Sequence, residues 1–354
     1  MAHPLRVVSV VGARPQFVKL KPVGDALTAR GVGHLVIHTG QHYDARMSDG
    51  IFRGLQIPAP DVNLEVGSGS QGEQTGEILM RIEPVLQDLE PDWVLVYGDT
   101  NSTVAAALAA VKVGLKTAHV EAGLRSWNRQ MPEEINRVLT DHACDLLLAP
   151  TELAMANLQG EGLGERSSLV GDVMADLLAN CRAELDPRPI RDSLGLDGDY
   201  LVATVHRASN TDDPEQLARL VEAMAGLTLP VVLVAHPRLL TAARRWGILL
   251  AAGVIRVVEP LDYLSMLSLL VGSRGLITDS GGLQKEAFLL GVPCTTLRTE
   301  SEWPETLAGG MNVLAPQAEN LHDLVTRSVS LPTRQPYGDG HAAGLIVDLL
   351  LTSA

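Results

Sequence analysis

Residues 119–137 read HVEAGLRSWNRQMPEEINR, with three glutamates (Glu121, Glu133, Glu134), three arginines (Arg125, Arg129, Arg137) and a histidine in nineteen positions. Only 20% of the chain is charged. The first residues of the stretch read as the end of a strand and the last as the start of a helix. A solvated loop with incidental ion pairs is one reading; a set of proton-transfer groups is the other. A second chemistry-bearing stretch is TDSGGLQKEAFLLG, residues 278–291. There Ser280, Gly281 and Gly282 lead into a helix whose first amides lack intrahelical partners. Glycines allow a diphosphate to approach those donors, and the helix dipole favours the anion. The plainer alternative is a helix capped by Asp279 or Ser280. Glu286, one turn on, can reach a sugar hydroxyl.

Three shorter motifs add to these. GARPQFVK carries Arg14 and Lys19 at the start of a helix, where cations oppose the dipole and call for an offsetting anion. Its glycines match neither a dinucleotide fingerprint nor a Walker loop, so NAD and ATP are poorly supported. VYGDTNST puts Asp99 at a strand end, as an N-cap or as a functional carboxylate. VATVHRASN ends a strand with His206-Arg207, a pair suited to a phosphate or a leaving-group oxygen. No His or Asp spacing suggests a metal site, and neither metal nor cofactor is expected. Carboxylates, a histidine and a diphosphate cradle fit proton transfer at a sugar carbon coupled to departure of a nucleoside diphosphate. Breaking the bond from carbon 1 to the diphosphate acidifies the C–H at carbon 2. Carboxylates then remove that proton and return one to the opposite face, while cations and amides stabilise the departing diphosphate.

The elements that must position these groups are legible in the hydrophobic pattern. Short apolar runs (LRVVSVV, HLVIHTG, DWVLVYGD, KTAHVE, DLLLAP) alternate with helical patterns, and after RAELDPRPIRDSLGLDGD the same grammar restarts with YLVATVHR, PVVLVAHP, VIRVVEP, RGLITDSGG and VPCTTLR. Such a chain predicts parallel sheets covered on both faces. We expect an α/β protein of two doubly wound Rossmann-like domains facing a central cleft, one of residues 1–170 plus 340–354 and one of 171–339. Ligands of such sheets bind beyond the carboxyl ends of the strands, where Arg14, Asp99, Glu121, His206 and Ser280 all fall. At 354 residues the chain is long enough for two domains. Its net charge of −14 argues against a nucleic-acid or anionic-membrane partner. Three cysteines without metal-ligand spacing suit a reduced, cytoplasmic protein, and no apolar run reaches membrane-spanning length.

The motifs GARPQFVK, HTGQHYD, YGDTNST, HVEAGLRS, MPEEINR, VGDVMAD, HRASNTDDP, AHPR, DSGGLQKEA and PYGDGHA stand in an ordered series. In that order they resemble the non-hydrolysing UDP-N-acetylglucosamine 2-epimerases over essentially the whole chain. The resemblance implies a glycosyltransferase-B-like fold, a homodimer and a nucleotide-sugar substrate. It implies interconversion of UDP-GlcNAc and UDP-ManNAc through elimination and re-addition of UDP, for cell-surface polysaccharide precursors. It marks Asp99, Glu121, Glu133 and His206 as catalytic, Glu133 rather than Glu134 because it follows Pro132. It marks Arg14, Lys19, Arg137, Arg207, Leu261, Met266, Ser280, Gly281, Gly282 and Glu286 as substrate- and UDP-binding, with Glu286 on the ribose. The arginines would balance Glu121, Glu133 and the diphosphate. Gln41, His42 and His236 are candidates for a second, regulatory site. Trp303 departs from a frequent arginine, and Leu261 and Met266 from a frequent glutamine and phenylalanine, which leaves base contacts to backbone and apolar packing. A sister group acts on UDP-2,3-diacetamido-2,3-dideoxyglucuronate. A buried carbon-6 carboxylate would need a paired cation, and Arg125, Arg129 and Arg207 are the residues that could supply one. None is plainly surplus, so the uncharged donor is expected.

Overall fold

Runs of Val, Leu and Ile too short for helices and too apolar for surface become buried strands when helices cover both faces of a sheet. A computed structural model of the chain describes residues 5–41, 55, 57–330 and 335–353, and shows thirteen strands among them. Seven form one sheet: β1 (Arg6–Val11), β2 (Gly33–His38), β3 (Val62–Asn63), β4 (Trp93–Tyr97), β5 (Thr117–Val120), β6 (Leu146–Ala149) and β7 (Ser167–Leu169), in the order β3-β2-β1-β4-β5-β6-β7. Six form the other: β8 (Leu201–Thr204), β9 (Val231–Val234), β10 (Ile255–Val258), β11 (Gly275–Thr278), β12 (Cys294–Thr296) and β13 (Asn312–Leu314), in the order β10-β9-β8-β11-β12-β13. Every pairing is parallel. Both sheets reverse strand order after their first strand, between β1 and β4 and between β8 and β11, where doubly wound sheets open a crevice for ligands.

Alternation along β8 shows how one strand serves two cores. Leu201 and Ala203 join a cluster with Leu217, Leu220 and Leu233, whereas Tyr200 and Val202 join another with Val232, Leu269 and Leu276. Period-2 side chains, apolar on both faces, leave the strand ends as the sites where polar groups gather.

The chain divides into one unit of Met1–Asn180 with Gln335–Ala354 and another of Cys181–Arg334. The first boundary lies beyond the expected residue 170, and local bonding explains the difference. The helix Val173–Cys181 follows Asp172, whose amide donates to Tyr337 O at 2.9 Å, and Asp176 accepts the amides of Ala342 and Ala343 at 3.1 and 2.7 Å. These bonds tie the helix to the returning C-terminal helix Ala342–Thr352. None of the helices described is long and apolar enough to cross a membrane.

Candidate active site

In the first unit the reversal point is built around Gln16. Its Oε1 accepts the amides of Gly12 and Ala13 at 2.7 and 2.9 Å, and its Nε2 donates to Tyr97 O at 2.8 Å, binding the loop after β1 to the end of β4. A Cβ at Gly12 would stand 2.1 Å from Thr39 Oγ1, so only glycine fits this turn. The helix Arg14–Ala29 begins here; the side chain of Arg14 and all of His42 lie outside the described residues. One turn into that helix, buried Lys19 forms an ion pair with buried Glu121. A Cβ at Gly98 would stand 2.9 Å from Lys19 Nζ, so the glycine after β4 clears the space for the pair. Glu121 itself has φ +77, a left-handed conformation that is costly for a residue with a side chain. Gly123 has φ +82, and a Cβ there would stand 2.4 Å from Ala154 O. The turn after β5 is therefore pressed against its neighbours.

The helix Pro132–Ala143 carries two adjacent glutamates with different fates. Glu134 is 2% exposed and accepts Ser126 N at 2.9 Å, Ser126 Oγ at 3.0 Å, Trp127 N at 3.0 Å and Arg137 Nη1 at 2.7 Å. Burial alone would raise its pKa, but the Ser126 amide, Arg137 and the Trp127 amide together hold it below the usual range. Glu133 is half-buried and has no hydrogen-bond or ion-pair partner among the described residues. It sits in the first turn, where the helix dipole favours a carboxylate. The second terminal nitrogen of Arg137 reaches Asp99 Oδ2 at 2.6 Å. Asp99 is not the cap of the next helix: Thr100 takes that place, its side chain accepting Thr103 N at 3.4 Å. The Asp99 carboxylate thus stays partly exposed, anchored by one cation.

The ion pairs seen among the described residues differ from a simple match of arginines to Glu121 and Glu133. Lys19 meets Glu121, and Arg125 belongs to a separate buried network. Arg125 Nη1 donates to Asp141 at 2.7 Å, and its Nε and Nη2 donate to Glu161, both at 2.7 Å. Asp141 also meets His119 Nδ1 at 2.6 Å and accepts Gly123 N at 3.0 Å. Burial would raise the Asp141 pKa; His119 and Arg125 override it and hold it down. This network fixes the turn that carries Glu121.

In the second unit the reversal point centres on Asp279, which follows β11 and is fully buried. It accepts the amides of His206 at 3.0 Å and Arg207 at 2.9 Å and Asn210 Nδ2 at 3.0 Å, and lies 3.1 Å from His206 Nδ1. Arg207 Nε donates to Asp279 O at 3.0 Å. Burial would raise the carboxyl, but His206, Asn210 and the Arg207 amide bring it down to about 2. With Nδ1 turned to Asp279, Nε2 of His206 makes no hydrogen bond among the described residues and is free to face a ligand. Ser280 caps the helix Gly281–Leu290, its Oγ accepting Leu283 N at 3.4 Å. Glu286 is buried on that helix, and Met266 and Leu261 pack in the apolar cluster with Leu283 and Ala287. Trp303 is buried beneath Lys285, whose Nζ stands 3.7 Å from the ring centroid.

Gln41 and His236 each make bonds within their own unit. Gln41 Oε1 accepts Ser102 N at 3.1 Å and Ser102 Oγ at 2.6 Å, and His236 Nδ1 accepts Arg238 N at 3.1 Å while its ring lies 5.3 Å from that of His206. The residues that sequence reasoning missed are Asp279 as the partner of His206, Glu134 as the anchor of Arg137, and Asp141. Only Asp279 left a signal, as a carboxylate at the end of a reversal-point strand.

Carboxylates at the strand ends of one unit, and a histidine beside a glycine-led helix start in the other, suit an enzyme acting on nucleotide sugars. The comparisons narrow this class. A family model described as UDP-N-acetylglucosamine 2-epimerase matches residues 25–351. The chain is 44% identical to a UDP-N-acetylglucosamine 2-epimerase homolog of Methanococcus maripaludis, over 98% of the chain and 99% of the relative. It is 43% identical, over the same shares, to the UDP-2,3-diacetamido-2,3-dideoxy-D-glucuronate 2-epimerase of Pseudomonas aeruginosa. Its structure is similar to that of Methanocaldococcus jannaschii UDP-GlcNAc 2-epimerase in complex with UDP-GlcNAc and UDP, with a TM-score of 0.91, 38% identity and coverage of 99% of this chain and 100% of the other. The chain belongs to the UDP-N-acetylglucosamine 2-epimerase family of isomerases, and its fold is the two-domain Rossmann-like fold of that family.

Proposed function

We propose that the protein interconverts UDP-GlcNAc and UDP-ManNAc. The bond from carbon 1 to the diphosphate breaks with its electron pair leaving on UDP. A carboxylate takes the proton from carbon 2, giving a 2-acetamidoglucal; reprotonation on the opposite face and return of UDP to carbon 1 complete the inversion. Asp99, Glu121 and Glu133 are the proton-transfer carboxylates. His206, oriented by Asp279, and Arg207 serve the departing diphosphate with Arg14, Lys19, Arg137 and the Ser280-Gly281-Gly282 turn, while Glu286 holds the ribose. Leu261 and Met266 line the base. The observation that carries this reading is the contrast within one helical turn: Glu134 is consumed by four hydrogen bonds, whereas its neighbour Glu133 has no partner. A carboxylate kept clear of partners at a helix start is one reserved for a substrate. Incubation with UDP-GlcNAc in deuterated water is expected to place deuterium at carbon 2; retention of hydrogen during turnover would exclude the mechanism. We also infer a cytoplasmic homodimer supplying cell-surface polysaccharide precursors, for which sedimentation should give twice the mass of one chain.

The uncharged donor is the preferred substrate because Arg125 is saturated by Asp141 and Glu161 and Arg207 is committed to the departing diphosphate. A second reading, the diacetamido uronate donor, is favoured by Arg129, which is exposed and has no partner among the described residues. Direct competition between the two donors decides. A preference for the uronate above ~100-fold in kcat/KM, about 2.7 kcal/mol, would establish the second reading.

A further inference from the structure

The helix Gly281–Leu290 begins against a carboxylate of its own unit. A Cβ built at Gly281 would stand 2.3 Å from Glu302 Oε1, so that oxygen rests on the first turn. Glu302 is 7% exposed; its Oε2 lies 2.7 Å from Arg298 Nη1, and its Oε1 lies 3.7 Å from Arg207 Nη2. One carboxylate therefore gathers the positive end of a helix and two guanidinium groups, the surroundings that suit a phosphoryl group. The arrangement is imperfect. Arg298 is 6% exposed, and although it lies at ion-pair distance, neither of its terminal nitrogens makes a hydrogen bond of regular geometry. The side-chain nitrogen of Gln284, on the same helix and fully buried, also has no hydrogen-bond partner, while its oxygen accepts Ser301 Oγ beside Glu302 at 2.8 Å. Buried donors are nearly always satisfied, and here Arg298 keeps donor capacity to spare where the chain has placed its own weak anion.

We propose that Glu302 is a built-in stand-in for the diphosphate. It occupies the anion position at the start of the helix Gly281–Leu290 in the free protein; the incoming diphosphate displaces it and takes Arg298 as a further cation. The proposal rests on the nucleotide-sugar reading above. A monovalent carboxylate loses this exchange to a diphosphate, which carries more charge and more acceptor oxygens, yet its occupancy lowers the apparent affinity of every phosphate ligand. Glu302 is in this sense a positioning residue, and Arg298 a ligand-binding one.

The test is calorimetric titration of UDP and of inorganic pyrophosphate into the wild-type protein and its variants. Glu302→Gln is expected to tighten both ligands by roughly tenfold, a gain that damage to the fold would not produce. Arg298→Gln is expected to weaken both by roughly tenfold or more. Should Glu302→Gln fail to fold, Glu302→Asp keeps the charge on a shorter stem that withdraws from the helix, and is expected to tighten UDP by a smaller factor. Wild-type protein that binds UDP while neither Glu302 variant binds it more tightly overturns the exchange and leaves the epimerase reading standing. Wild-type protein that binds no UDP overturns both.

Discussion

At the reversal point of the first sheet the groups assigned to chemistry are carboxylates, and buried cations hold two of them: Lys19 holds Glu121, and Arg137 holds Asp99. At the corresponding point of the second sheet His206, Arg207 and Arg298 are cationic or basic, and buried carboxylates hold them: Asp279 holds His206 and Arg207, and Glu302 meets Arg298. The two sheets share one order through their first six strands, and their electrostatics are inverted. The fold supplies the place, a pair of loops beyond adjacent strand ends, and leaves the sign of the charge to a few side chains. What the two halves have in common is a division of labour in which one buried partner orients each reacting group.

The sharpest break of that pattern is Glu133, which has no such partner. Glu133→Gln is expected to lower kcat by ~10²–10⁴-fold while leaving thermal stability and UDP binding near wild type. Glu134→Gln, one residue on, should instead destabilise the protein by about 1–3 kcal/mol, because it removes the charge that accepts from Ser126, Trp127 and Arg137, although Arg137 keeps Asp99. Equal losses of turnover at unchanged stability in the two variants would erase the distinction between them.

The cation side of the comparison is probed by Lys19→Met. It leaves Glu121 without its buried ammonium and is expected to cost about 3–5 kcal/mol in denaturant unfolding, besides lowering turnover. If Lys19 served the diphosphate alone, the loss would lie in UDP affinity and the unfolding midpoint would scarcely move.

The carboxylate side is probed by acid. Asp279 has a folded-state pKa of about 2, below the value of about 4 of an unfolded aspartate. Its ionised form therefore stabilises the fold fully above about pH 4, and that contribution, about 2 kcal/mol, disappears as pH falls through about 2. The melting temperature of Asp279→Asn should fall less steeply than that of the wild type across this window. Parallel acid profiles would mean that His206 and its neighbours do not rely on Asp279.

Much of the architecture was legible because buried parallel strands announce themselves by composition: RVVSVV, WVLVY and VVLV could hardly be anything else, and the groups at their ends followed. Glu133 could be told from Glu134 only by its place in a motif. The physical difference between them lies in Ser126, Trp127 and Arg137, contacts that a loop creates when it folds back. Arg125 could not be placed at all, since its partners stand 16 and 36 residues away. Asp99 was readable as the cap in sequence, and the backbone chose Thr100. Short-range chemistry is written in the residue order; which cation meets which anion is decided by packing.

The backbone at Glu121 has a consequence for how this chain can change. With φ +77 the position would suit glycine, which has no side chain to strain. Exchanging Glu121 for glycine would relieve about 1 kcal/mol of local conformational energy but strand the buried ammonium of Lys19, at a cost of about 3–5 kcal/mol. Stability and turnover therefore both hold the glutamate in place, and the ion pair outweighs the strain it sits on. Selection for heat resistance would find a gain here only by removing both charges together, Lys19→Met with Glu121→Gly, and selection for activity would restore the pair.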